Sequence, residues 1–230
     1  MLSLRSVEKI QKKVNAFYGL WDRHYPAPIL WDVDRTCPEL RILEEHFPLV
    51  QKEADYLLTQ RESIPTYKAL DPYVTAGEKS PGKWQVFMLK AWKTDFKKRQ
   101  SLCPETSRLL KYIPSVFQAF FSIMDPFKYI PPHQGMYKGY LRYHLGVKIP
   151  TFPRRPHLIV EGETLYWEEG KGFLFDDYLT HEAFNDTSKP RVVLIVDILR
   201  PRPLIPDLVN RCILSGFLKP FFFKRVFKSK

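Results

Sequence analysis

The sequence predicts an α+β fold in which a helical N-terminal region packs against a strand-rich sandwich or barrel. Three observations carry that expectation. Apolar residues recur at helical spacing over about the first 64 residues; from about residue 120 to 203 they fall instead in short runs bounded by turn signals. Twenty prolines and ten glycines break the chain too often for a helical bundle. A chain of 230 residues is long enough to bury a full core in such a fold.

Each element has its own signal. Val7, Ile10, Val14 and Phe17 recur at helical spacing, as do Leu40, Leu43, Phe47 and Val50. Cys37-Pro38-Glu39 opens the second helical segment, with Pro38 near the first helical position, where a missing N–H costs nothing. His24 and His46 stand among polar neighbours and are expected at the surface. Trp84 to Lys90 has the apolar and aromatic content of a strand. Pro104 to Ile113 fits a short helix stopped before Pro114, and Ser115 to Phe121 fits either element. Gly139 to Val147 alternates, with Leu141, Tyr143 and Leu145 on one face and Arg142 and His144 on the other. His157–Glu161 and Thr164–Trp167 flank a Glu-Gly turn, a hairpin signal. Gly172–Asp176 and Arg191–Asp197 complete the strands. The organisation expected is a helical region over 1–64, a β domain over 65–203 and a basic, aromatic tail over 204–230.

Composition narrows the function classes. Cys37, Cys103 and Cys212 are odd in number and far apart, which argues against a disulfide framework or a thiolate zinc site. The N-terminus lacks the apolar run of a signal peptide, and no stretch is apolar enough to span a bilayer. A cytoplasmic protein is expected. The net charge of +11 is partly concentrated: Lys90, Lys93, Lys97, Lys98 and Arg99 form one cluster. After Pro201, Arg202, Arg211, Lys219, Lys224, Arg225, Lys228 and Lys230 face a single acid, Asp207. Such faces serve anionic partners or only solvation. No stacking motif or groove-reading helix accompanies the charge, so nucleic acid is not an expected partner.

Chemistry concentrates in the strand-rich half, which holds His133, His144, His157 and His181. A neutral imidazole is the commonest metal ligand, and two on separate strands can meet inside a barrel mouth. Arg191 follows His181 by ten residues, a spacing that in a β-hairpin sets both on facing strands over one cavity. A guanidinium offers a carboxylate a planar, permanently charged fork. Together, a metal ligand and a buried arginine suit an α-keto diacid. Arg142 and His144 share the polar face of their strand. Arg142 has a second reading, an ion pair with Asp176, Asp177 or Glu182 that braces the barrel.

Six short segments occur in order: Pro132-His-Gln-Gly135, Leu141-Arg-Tyr-His-Leu-Gly146, Trp167-Glu-Glu-Gly-Lys171, Phe175-Asp-Asp177, His181-Glu-Ala183 and Arg191-Val-Val-Leu-Ile-Val-Asp197. From about Ile113 to Pro201 the chain thereby resembles the aspartyl/asparaginyl β-hydroxylase family of iron/2-oxoglutarate oxygenases. The resemblance implies a double-stranded β-helix, a cupin-like jelly-roll barrel, with the N-terminal helices packed against it. It implies that His133 and His181 hold Fe(II). Arg191 with Ser122, eleven residues before His133, would anchor the distal carboxylate of 2-oxoglutarate, and Arg142 and His144 would contact its other end. Where the usual facial triad has a carboxylate two residues after the first histidine, Gly135 stands here; the family lacks that ligand too and fills the place with water.

The implied activity is hydroxylation of an unactivated C–H bond, with O2 consumed and the cosubstrate decarboxylated to succinate; chloride in the open position would allow halogenation instead. The substrate stays open between an amino-acid or peptidyl residue and a lipid acyl chain. Animal peptide-aspartyl hydroxylases have an arginine where Tyr140 stands. Trp84–Lys90, Cys103-Pro104 and Ile113-Pro-Ser-Val116 are similar to the bacterial lipid A acyl-chain hydroxylases of the same family. The tail would then touch an anionic membrane peripherally, at its inner face, or pack its phenylalanines on the barrel as a helix. The alternative class is a non-catalytic cupin-like ligand-binding protein; against it, every matched metal and cosubstrate position is filled. The oligomeric state is not legible.

Overall fold

The computed structural model describes residues 4–21, 28–70, 80–91 and 94–218. His24, Lys93 and the segment 219–230 lie outside the described residues. The strands are β1 (Leu30–Trp31), β2 (Trp84–Ala91), β3 (Thr94–Asp95), β4 (Val116–Met124), β5 (Tyr129–His133), β6 (Tyr140–Lys148), β7 (His157–Val160), β8 (Glu163–Tyr166), β9 (Gly172–Phe175), β10 (His181–Phe184) and β11 (Arg191–Leu199). They form two antiparallel sheets. The larger has the order β1-β9-β6-β11-β4-β2-β3 and the smaller β5-β10-β7-β8. Facing each other, they make a double-stranded β-helix with helices Leu4–Tyr18, Phe47–Thr59, Pro104–Leu109 and Leu204–Cys212 around it.

Side-chain parity sorts the core into two layers. Val192, Leu194, Val196 and Ile198 of β11 pack with Ala119, Phe121 and Ile123 of β4 and Leu141, Tyr143 and Leu145 of β6. Helical residues Leu43, Val50, Ala54, Leu57 and Leu109 cover that face. The alternate residues Val193 and Ile195 turn inward to Phe120, Met124, Val86 and Met88, and meet Leu158, Val160 and Ala183 of the smaller sheet. Burial on both faces explains why β11 reads as a continuous apolar run.

Local chemistry sets the boundaries. The segment at Leu40–Val50 is broken into Pro38–Arg41, Ile42–Glu45 and Phe47–Thr59, and the second break falls just before Pro48, which lacks the N–H that would continue the ladder. The helix from Pro104 ends at Leu109, short of the expected Ile113. Its N-terminus is held from outside: Glu105 and Thr106 donate their backbone N–H groups to the buried Glu53 carboxylate at 2.6 and 2.9 Å. Of Ser115–Phe121, ambiguous in sequence, the residues from Val116 onward belong to β4. The β7–β8 turn has Glu161 at φ 48° and Gly162 at φ 87°, the paired positive dihedrals of a two-residue hairpin. The N-terminal region is not purely helical, since Leu30 and Trp31 pair with Phe175 and Leu174.

Candidate active site

The inward face of the larger sheet carries a polar group formed by Ser122, Arg142, His144, Arg191 and Asp197. His133 and His181 face it from the smaller sheet. They are register partners on β5 and β10, with ring centroids 4.2 Å apart and planes at 53°. His133 Nδ1 lies 2.9 Å from the Pro131 carbonyl oxygen and His181 Nδ1 2.8 Å from that of Leu179. A carbonyl only accepts, so each Nδ1 carries a proton and Nε2 is the nitrogen left to bind a metal. Burial, reinforced by the neighbouring His181, pulls the pKa of His133 down to about 4, so its ring is neutral at pH 7. Among the described residues no group of three or more His, Cys, Asp or Glu side chains could hold a metal. A cation here would therefore take two protein ligands.

The place of a third ligand is sterically closed. A Cβ on Gly135 would stand 2.0 Å from Asp177 Oδ2 and 2.7 Å from the Tyr140 hydroxyl. Asp177 is fully buried, 3.5 Å from His181 Nε2, and accepts from the Tyr140 hydroxyl. Arg142 Nη1 approaches Asp177 Oδ1 at 2.6 Å, while Arg142 Nε and Nη2 donate to the two oxygens of Asp197 at 2.7 and 2.9 Å. One guanidinium thus serves two buried carboxylates. Burial disfavours ionisation of Asp177, but Arg142, with His181 and Tyr140, overrides it and leaves the pKa lowered. Burial pushes Asp197 up to about 6 despite the same arginine. The bracing partners of Arg142 are therefore Asp177 and Asp197; Asp176 pairs with Arg200, and Glu182 accepts from the Tyr129 hydroxyl.

Arg191 is different. It is 2% exposed, and among the described residues no carboxylate pairs with it. Its guanidinium carbon lies 4.4 Å from the Trp167 ring centre, Nη1 reaches Ser122 Oγ at 3.5 Å, and Nε has no partner. Burial alone lowers its pKa to about 9. Ser122 Oγ also accepts from Trp84 Nε1 at 3.0 Å. His144 Nδ1 accepts from Trp167 Nε1 at 3.2 Å, so its proton sits on Nε2, which is buried without a partner. Burial, then the charges of Arg142 and Arg191, hold that ring well below the usual histidine pKa. Two buried donors without a partner, Arg191 Nε–H and His144 Nε2–H, could serve a bound ligand. An anion fits.

All six residues expected in the site, Ser122, His133, Arg142, His144, His181 and Arg191, thus line one interior. One expectation is corrected. His181 and Arg191 are not hairpin partners: β10 pairs with β5 and β7, and β11 with β4 and β6. The chain changes sheets between them, where Asn185 Nδ2 ties the turn by donating to the carbonyls of Met124, Asp125 and Lys189. Trp167 and Asp197 carry roles that spacing did not assign. Asp197 was within reach, since it lies an even number of residues from Arg191 on one strand. Trp167 was not, because its contacts cross from a loop to two strands. His157 stays outside the site, stacked on Phe184 with centroids 4.6 Å apart. A separate cavity of about 380 Å³ lies among Ser115, Leu199, Arg200, Asp207 and Arg211, and none of the six lines it.

Residues 44–201 match the aspartyl/asparaginyl beta-hydroxylase family. The chain belongs to this family. An ornithine lipid ester-linked acyl 2-hydroxylase of Rhizobium tropici is 32% identical over 80% of this chain and 67% of its own length. The human aspartyl/asparaginyl beta-hydroxylase is 35% identical over 52% of this chain. The chain spans only 16% of that human protein. Among solved structures, a Pseudomonas putida prolyl-4-hydroxylase is similar at 13% identity and a TM-score of 0.44, covering 68% of this chain and 88% of that one. Both curated relatives named here are hydroxylases.

Proposed function

We propose that this chain is an Fe(II)- and 2-oxoglutarate-dependent dioxygenase that hydroxylates an unactivated C–H bond of a lipid acyl chain. The observation that carries the cofactor reading is Arg191, a buried guanidinium with no acid among the described residues, on the same interior as two imidazoles whose Nδ1 atoms are tied to backbone carbonyls and whose Nε2 atoms are left to bind a metal. His133 and His181 would hold the metal. Arg191 and Ser122 would take one carboxylate of the cosubstrate, and the His144 Nε2–H would donate to its other end. The bound group supplies oxidative decarboxylation of 2-oxoglutarate to succinate and carbon dioxide, coupled to C–H hydroxylation. The protein's part is placement in a dry site: two paired histidines, a fixed guanidinium and apolar walls that exclude water.

The substrate class follows from what the interior lacks. Arg142 is neutralised by two carboxylates, and the Tyr140 hydroxyl donates to one of them, Asp177. Tyr140 also packs edge-on against Phe117, with centroids 5.3 Å apart. Met136, Leu179 and Phe175 belong to the same apolar cluster. An acyl chain suits this lining better than an aspartyl side chain, and the Rhizobium relative named as an acyl 2-hydroxylase supports that choice.

The test is anaerobic titration with iron(II) and 2-oxoglutarate, followed by the visible metal-to-ligand charge-transfer band. The band is expected in the native chain and absent in His133→Ala and His181→Ala, both with unchanged far-UV circular dichroism. A folded native protein without the band would overturn the cofactor reading.

A further inference from the structure

Helix Leu204–Cys212 follows β11 and lies beyond the residues that match the family. Its inner side is pinned. Pro206 and Asn210 are buried, Asn210 Nδ2 donates to the Gly139 carbonyl at 2.7 Å, and the neighbouring Leu214 joins the cluster of Tyr18 and Tyr137. The opposite side is apolar and bare. Leu204, Ile205 and Leu208, spaced to share one face, are 72%, 69% and 52% exposed. Asp207 and Arg211 pair with each other at 2.7 Å, so the helix's own charges are satisfied at its flank.

Charge says what covers this face. The chain carries a net +11, and from residue 217 onward Phe217, Phe221, Phe222, Phe223 and Phe227 are interleaved with Lys219, Lys224, Arg225, Lys228 and Lys230, with no acid. Bulky apolar groups beside an unopposed row of cations suit an anionic bilayer, whose acyl boundary takes the former and whose headgroups take the latter. An uncharged apolar groove on a protein partner would leave the cations without purpose. Placement agrees. Arg191 opens β11 opposite Met124, whereas Leu199 closes it opposite Tyr140, and the helix continues from that second end. Arg200 fixes the junction, its backbone N–H donating to Gly139 O at 3.0 Å and its Nε to Lys138 O at 2.7 Å. The helix is therefore held rigidly at the Tyr140 end of the barrel, away from the Arg191 end.

We propose that the Leu204–Ile205–Leu208 face docks the protein on an anionic lipid surface, with the basic aromatic segment after it supplying the electrostatic attraction. The inference rests on the acyl-chain reading for its purpose but not for its test. The full chain is sedimented with large vesicles of phosphatidylcholine, with and without phosphatidylglycerol, in the absence of iron and 2-oxoglutarate. The native protein is expected to pellet with the anionic vesicles and to be released by salt. The triple variant Leu204→Gln, Ile205→Gln, Leu208→Gln, with an unchanged melting temperature, is expected to bind at least about tenfold more weakly. Equal binding by the triple variant overturns the proposal, as does failure of the native chain to bind. A native dimer that the triple variant converts to a monomer, with no vesicle binding by either, assigns the face to a second copy and also overturns it. Vesicle binding without a charge-transfer band would leave docking standing and remove the cofactor reading; the reverse result would do the opposite.

Discussion

A guanidinium kept dry without an acid is an expensive feature, and Arg191 is one, with Ser122, Trp167 and the Met124 sulfur around it and no acid among the described residues. Its cost is offset when a carboxylate arrives. Arg191→Ala should weaken 2-oxoglutarate binding by about 2–5 kcal/mol, roughly 30-fold to several thousand-fold, without lowering the melting temperature of the ligand-free protein. Anaerobic calorimetry decides it, and native affinity in the variant would remove the anchor. Gly135 makes the converse point. Restoring the familiar third ligand as Gly135→Asp should not tighten iron, because the new Cβ meets Asp177, which Arg142 and Tyr140 hold in place. The expected outcome is a lower melting temperature and no gain in iron affinity, read by thermal unfolding and by metal titration. A stable variant with tighter iron would mean that Asp177 yields easily.

At the scale of elements, short helices survive here because tertiary partners finish them. Pro104–Leu109 is too short to be stable alone, and Glu53 of the neighbouring helix serves its N-terminus through Glu105 N, Thr106 N and the Thr106 hydroxyl. Glu53→Ala should cost about 1–3 kcal/mol in urea unfolding, since it leaves buried donors unpaired. Glu53→Gln, which keeps an acceptor, should cost less. Equal losses would show that packing, not the capping contacts, sets the effect.

The whole molecule shares one structural wall. The larger sheet carries the helical layer on one face and the site on the other, so both core layers depend on the same strands. Leu194, fully buried between Phe121 and Leu145 partners, faces the helices. Leu194→Ala should therefore cost about 2–5 kcal/mol and lower helical and barrel signals together. Far-UV circular dichroism reads the helices, and the fluorescence of Trp84 and Trp167 reads the barrel interior. Two separated transitions would mean that the layers unfold independently.

The sequence alone determined what depends on local pattern. Alternation in Gly139–Val147 placed Arg142 and His144 on one face, and the Glu161-Gly162 turn predicted a hairpin; the family resemblance pointed to His133, His181, Arg191 and Ser122. The first two signals lie within a few residues, where periodicity and turn chemistry act. The tertiary structure decided what depends on strands far apart in the chain. It separated His181 and Arg191 into opposing sheets, gave Arg142 to Asp177 and Asp197, and set Trp167 between His144 and Arg191. It also left Leu204, Ile205 and Leu208 in solvent. Spacing reports which face a residue takes, but partners across a barrel are chosen by sheet order and register, which no short stretch of sequence contains.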